Sequence, residues 1–147
     1  MGVIADRLRA AMNAARKSRD AARTLLYSTV LADLKNKEFE LQRAVSDEDE
    51  ADVLRRAVKR RQEAAELYDQ GGRKDLAGNE RREVEAIKEC LPADASAEDI
   101  RRAVQAAIQA GAKDVGAVMK AVMPQFKGRA DGKAINQIAR EELHTAV

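Results

Sequence analysis

The sequence predicts an all-α protein, and three observations predict it. Alanine, the strongest helix former and a weak strand former, supplies 29 of the 147 residues. Charged side chains make up 35% of the chain, which suits helices with one solvated face over thin cores. Only two prolines and eight glycines are present, too few to supply the turns of an all-β fold.

Helical periodicity then defines the elements in order. A first helix covers Val3 to about Lys17, with Ile4, Leu8, Ala11 and Ala15 on one face. Ser18 breaks it and Asp20 caps the second helix, which runs to about Arg43 with Leu26, Val30 and Leu34 at i,i+4 spacing and Leu41 beyond. Ser46-Asp47-Glu48-Asp49 opens the third helix as a variant capping box, with Asp at the position usually held by Glu or Gln. Its stripe is Val53, Ala57, Ala64 and Leu67, flanked by Leu54, Val58, Ala65 and Tyr68, and Gly71-Gly72 stops it. A fourth helix, about Lys74 to Cys90, turns Leu76, Val84 and Ile87 inward and ends at Leu91-Pro92.

Pro92 to Ser96 marks the boundary between a four-helix N-terminal subdomain, 1–92, and a three-helix C-terminal tail, 93–147. Ser96-Ala97-Glu98-Asp99 caps a helix through Ile100, Val104 and Ile108 to Gly111. Asp114 caps a short helix from Val115 to about Met123, where Met119 and Met123 are expected in the core. A loop, 124–132, leads to a last helix carrying Ile135, Ile138, Ala139 and Leu143.

Charge and composition narrow the function classes. The 27 basic and 25 acidic residues nearly cancel, to +2, and splitting at Pro92 leaves +1 on either side, so neither half is a basic tail. No apolar run is long enough to span a membrane, and Asp6 and Arg7 interrupt the place of a secretory signal. The single cysteine excludes an internal disulfide and fits a cytoplasmic location. Without a sustained heptad seam, the expected state is a monomer.

Catalytic patterns are missing. Cys90 needs a base, and the only histidine, His144, lies in the last turn of the chain. No spacing fits a zinc site, and the acidic run Asp47, Glu48, Asp49, Glu50, Asp52 reads as carboxylates facing a helix dipole, since a calcium loop would need a glycine and a distant glutamate. The expectation is no catalytic residue, no metal and no cofactor.

Two basic clusters remain. Arg56, Lys59 and Arg60 share one side of the third helix, with Arg55 reaching toward Lys59 and with Asp52, Glu63 and Glu66 within ion-pair reach. From Lys113 to Lys133, five basic residues (Lys113, Lys120, Lys127, Arg129, Lys133) stand against Asp114 and Asp131, a local +3. The segment Lys127-Gly128-Arg129-Ala130-Asp131-Gly132-Lys133 is not a P-loop. Its glycines are one residue too close, Ala134 replaces the metal-binding hydroxyl, and no strand precedes it. Two readings stay open on chemistry alone: an anion site at a helix N-terminus, or a glycine-permitted turn capped by Asp131.

The run Val115-Gly116-Ala117-Val118-Met119-Lys120-Ala121-Val122-Met123-Pro124, followed by residues 127–133 and Ile135-Asn136, resembles the signature of the GatB/YqeY family. Asn36-Lys37-Glu38, Lys59-Arg60-Arg61-Gln62 and the stretch from Glu83 to Leu91-Pro92 are also similar, so the resemblance covers essentially the whole chain. It implies a helical subdomain joined to the small tail domain that closes the B subunit of the tRNA-dependent amidotransferase. There the tail contacts the tRNA body, while the carbon–nitrogen ligase chemistry lies in a catalytic core for which this chain has no room.

The resemblance therefore implies a non-catalytic tRNA-binding module. Lys120, Lys127, Gly128, Arg129, Gly132 and Lys133 would touch the sugar-phosphate backbone, and Arg56, Lys59 and Arg60 would form a secondary basic face. The other reading is a protein-interaction helper that docks on an amidotransferase or an aminoacyl-tRNA synthetase, with no ligase activity alone.

Overall fold

The computed structural model describes residues 2–127 and 129–146, and all regular structure among them is helical. The chain runs α1 (Val3–Lys17), α2 (Ala21–Leu41), α3 (Asp47–Gln70), α4 (Lys74–Lys88), α5 (Ala97–Gln109), α6 (Val115–Val122) and α7 (Gly132–Thr145). A 3-10 turn, Met123–Phe126, continues directly from α6.

Local chemistry sets most of the breaks. Arg19 takes a left-handed backbone, φ +60°, and the Asp20 carboxylate then accepts the Arg23 N–H at 3.0 Å to start α2. Helix α2 ends at Leu41, its last apolar position and two residues short of the expected Arg43, where Gln42 turns to φ +53°. The Ser46 hydroxyl and the Asp49 carboxylate exchange bonds with each other's backbone N–H, a complete capping box for α3. Gly72, at φ +74°, then lets the chain leave α3. At α5 only half of the motif forms: Ser96 accepts the Asp99 N–H at 3.0 Å, while the Asp99 carboxylate turns toward Arg102 at 3.8 Å.

Residue contacts divide into two compact units, 1–92 and 93–147. In the first, α1 packs on α2 and α3 on α4, and the shared core holds Leu8, Tyr27, Val30, Leu34, Leu54 and Ile87. Each such side chain contributes about 1.5–3 kcal/mol by leaving water. In the second, α5, α6 and α7 enclose Val104, Val118, Val122, Phe126 and Ile135.

The inward stripe of α3 differs from the expected one. Leu54, Ala57, Val58 and Ala65 are buried, Val53 and Ala64 are half-buried, and Leu67 is 67% exposed. The helix is rotated toward the flanking row because that row faces α4, its main neighbour. Met123 is likewise exposed, while Met119 is half-buried against the core. The acidic run also departs from a solvated dipole face at one position, where Glu50 is fully buried.

Candidate nucleic-acid interface

The connection from α6 to α7 is built on two aspartate caps. Asp114 accepts the Ala117 N–H at 2.8 Å to begin α6, and Asp131 accepts the Ala134 N–H at 2.8 Å to begin α7. Between them Phe126 is buried in the core, and its carbonyl accepts the N–H groups of Arg129 at 2.9 Å and Ala130 at 3.2 Å. The Ala95 N–H donates to the Arg129 carbonyl at 2.8 Å, which ties the turn to the start of the unit. The Arg129 guanidinium lies over the Phe126 ring, 5.8 Å from its centroid, so the side chain is held by a cation–π contact and stays exposed.

Four of the five cations of this segment, all but Lys127, have no ion-pair partner. The arginines of α5 pair elsewhere: Arg101 binds Glu142 at 2.6 Å and Glu141 at 3.0 Å, and Arg102 approaches Glu98 and Asp99. Asp114 and Asp131 turn their carboxylates to backbone N–H groups, leaving Lys113, Lys120, Arg129 and Lys133 exposed and without a carboxylate partner. Lys120 stands on the outward side of α6, away from Val118 and Val122, and Lys133 lies in the first turn of α7.

The two open readings of this segment resolve partly. The Asp131 cap occupies the helix terminus, so the terminal N–H groups are not all available to an outside anion. Gly132 is not required by space or backbone: a Cβ there would make only ordinary contact, 3.4 Å, with the end of the exposed Met123 side chain. Gly128 lies outside the described residues. Lys127 is exposed and has an interaction partner within the chain.

The secondary basic face sits on a cleft of about 490 Å³ between α2 and α3, lined by Asp33, Asn36, Lys37, Arg56, Lys59 and Arg60 among others. The expected lacing by Asp52, Glu63 and Glu66 does not form. Arg60 reaches across to Asp33 of α2 at 3.6 Å, and Arg56 and Lys59 carry no ion pair. The next residue, Arg61, is different in kind. Its Nε donates to Glu83 of α4 at 2.8 Å and its Nη1 to the Ala57 carbonyl at 3.0 Å, with only 16% of the side chain exposed. Neither Asp33 nor Glu83 was visible as a partner from local spacing, because both lie more than twenty residues away in sequence.

Cys90 is buried in the N-terminal core, and burial first, then the nearby Glu89 carboxylate, pushes its thiol pKa up. It is a small core residue, the opposite of an activated thiolate. His144 is exposed and belongs to the other unit. Among the described residues no three His, Cys, Asp or Glu side chains gather with metal-site geometry, and no helix is long and apolar enough to cross a membrane.

A family model described as a Yqey-like protein matches residues 5–143. No curated protein matches the chain.

Proposed function

The chain belongs to the YqeY-like family, and from that premise we propose that it is a non-catalytic RNA-binding module that holds folded tRNA through its sugar-phosphate backbone. In this reading residues 93–147 form a tail domain that folds on its own behind the N-terminal subdomain, 1–92. Lys120, Lys127, Arg129 and Lys133 meet phosphates, and Arg56, Lys59 and Arg60 add a second contact. Recognition by shape and 2′-hydroxyls suits a surface with no aromatic exposed on the C-terminal unit for stacking. The module works in the cytoplasm beside an amidotransferase or aminoacyl-tRNA synthetase, as the resemblance to the amidotransferase tail suggests.

The observation that carries this reading is the state of the charges between Lys113 and Lys133. Both carboxylates of the segment are engaged as helix caps, and four of its five cations have no carboxylate partner. A phosphate backbone supplies the missing partners and releases its own counterions in doing so.

The test is a salt titration of binding to folded tRNA, against a double-stranded RNA of equal charge. The expected result is a preference for tRNA, with log affinity falling linearly in log salt. Replacing Arg129 and Lys133 by alanine should reduce that slope by about two at most. Equal, weak binding to both RNAs, or a slope unmoved by the double change, would overturn the reading.

A further inference from the structure

Helix α2 is apolar on both sides. Its inward row, Leu26, Val30 and Leu34, is buried in the core. On the outward side, Leu25, Ala32 and Phe39 stand seven residues apart, two helical turns each, and therefore almost in line. Leu25 is 69% and Phe39 is 87% exposed. Ala21, Ser28, Thr29 and Asn36 fill the same side and are exposed, and Lys35 at its edge is the one charged residue among them. In a chain with 35% charged residues, an outward face with a single charge over some five turns needs a physical reason.

The two ends of this face are complementary. Beside Leu25 lies a shallow hollow of about 530 Å³, floored by Ala21, Thr24 and Ser28 and rimmed by Arg16 and Arg19. At the other end Phe39 projects as a knob between Glu38 and Glu40. Arg16, Arg19 and Glu38 form no ion pair within the chain, and Glu40 makes only an exposed contact to Lys37 at 3.6 Å. Knob with acid and hollow with base are placed symmetrically about Ala32.

We propose that this face of α2 is the interface of a two-fold homodimer, with two α2 helices antiparallel and the axis passing at Ala32. Rotation about that axis sets Ala32 against its own copy and Phe39 of each chain in the hollow beside Leu25 of the other. Arg16 and Arg19 then meet Glu38 and Glu40 across the interface and line the inserted ring, in the way Arg129 already lies over Phe126. Self-complementarity of one patch is what an isologous interface requires, and a small residue at the crossing lets the helices come close. A single helix pair buries on the order of 1,000 Å² in total, at the lower edge of specific interfaces, so the dimer is weak and concentration-dependent. It departs from the monomer expected from sequence, and it does not rest on RNA binding, although Asn36 and Glu40 also line the cleft beside Arg56, Lys59 and Arg60.

Sedimentation equilibrium from low micromolar to near-millimolar concentration tests this. The mass should rise from 16.1 kDa toward twice that value. Ala32→Lys, a change at an exposed site that brings two cations together at the axis, should hold the mass at one chain while leaving the circular dichroism spectrum unchanged. Mild oxidation should link Ala32→Cys chains rapidly and Leu25→Cys chains slowly, since only a residue on the axis meets itself; the native Cys90 is buried and does not contribute. A constant single-chain mass overturns the proposal. So does a dimer that tolerates Ala32→Lys, or one in which Leu25→Cys links as fast as Ala32→Cys, the sign of a parallel pair.

Discussion

The carboxylate of Glu50, near the start of α3, accepts the backbone N–H of Gly2 at 3.1 Å, so one helix caps the N-terminus of another. Gly2 is the N-cap residue of α1 and has no side chain to do this itself. A Cβ at Gly2 would press on the Asp47 carboxylate and fall 2.6 Å from the Oε1 of Glu50, which is buried and has little freedom to move aside. Glu50 is fully buried, and its second oxygen, Oε2, has no hydrogen-bond partner.

Glu50→Ala should therefore cost about 2–3 kcal/mol of stability, from uncapped amides and a void in place of the side chain. The pH dependence is separable. Burial pushes the Glu50 carboxyl above its ordinary 4.5, against the opposing pull of the Ala5 and Gly2 amides. A pKa raised by folding means that the native state holds the proton more tightly. Its contribution is thus fully present below pH 4.5 and is lost as pH rises through the elevated value. Urea midpoints measured between pH 4 and 7 should show that decline in the parent chain and a flatter profile in Glu50→Gln. Parallel profiles would remove Glu50 as its source.

Arg61 and its neighbours on α3 should separate cleanly by substitution. Arg61 bonds Glu83 and the Ala57 carbonyl from a largely buried position. Arg61→Lys loses the fork geometry that makes both bonds and should cost about 1 kcal/mol or more. Arg56→Gln and Lys59→Gln, exposed and without ion pairs, should stay within about 0.5 kcal/mol of the parent. Thermal unfolding of the three variants decides it; equal losses would mean that the exposed cations also hold α2 and α3 together.

Asp131 offers a way to raise the charge of the candidate interface without disturbing its fold. Asparagine caps a helix about as well as aspartate, so Asp131→Asn should keep α7 intact, whereas Asp131→Ala should cost about 1 kcal/mol. The asparagine variant also removes one of the two carboxylates between Lys113 and Lys133. Its affinity for tRNA should rise severalfold at low salt, and the gain should fade at high salt as screening shortens the reach of the charge. An unchanged affinity at low salt would place the RNA contact elsewhere.

How much of this was legible in the sequence follows from the range of each interaction. Asp20, Ser46, Ser96, Asp114 and Asp131 all accept an N–H three residues ahead, so the helix starts could be read from short strings. The contacts of Glu50 with Gly2, Arg60 with Asp33 and Arg61 with Glu83 join distant positions and left no local trace. At the candidate interface the count of charges and the two aspartate caps were readable, but the seating of Arg129 over the buried Phe126 ring needed coordinates. The outward row of α2 was hidden for another reason. Apolar residues on two sides blur the periodicity by which a single buried face is recognised.

The orientation of α3 illustrates the remaining ambiguity and provides its own test. Two adjacent rows, one through Leu67 and one through Leu54, are both apolar, and periodicity ranks them nearly equally. Only the packing of α3 on α4 selects the second, leaving Leu54 fully buried and Leu67 67% exposed. Leu54→Ala should thus cost about 2–5 kcal/mol, since the void it leaves sits at the centre of the N-terminal core. Leu67→Gln should change stability by no more than about 0.5 kcal/mol, because the new amide remains in water. Urea unfolding of the two variants measures both. Comparable losses would mean that α3 is turned by part of a turn from the orientation described, and that Leu67 shares in the core.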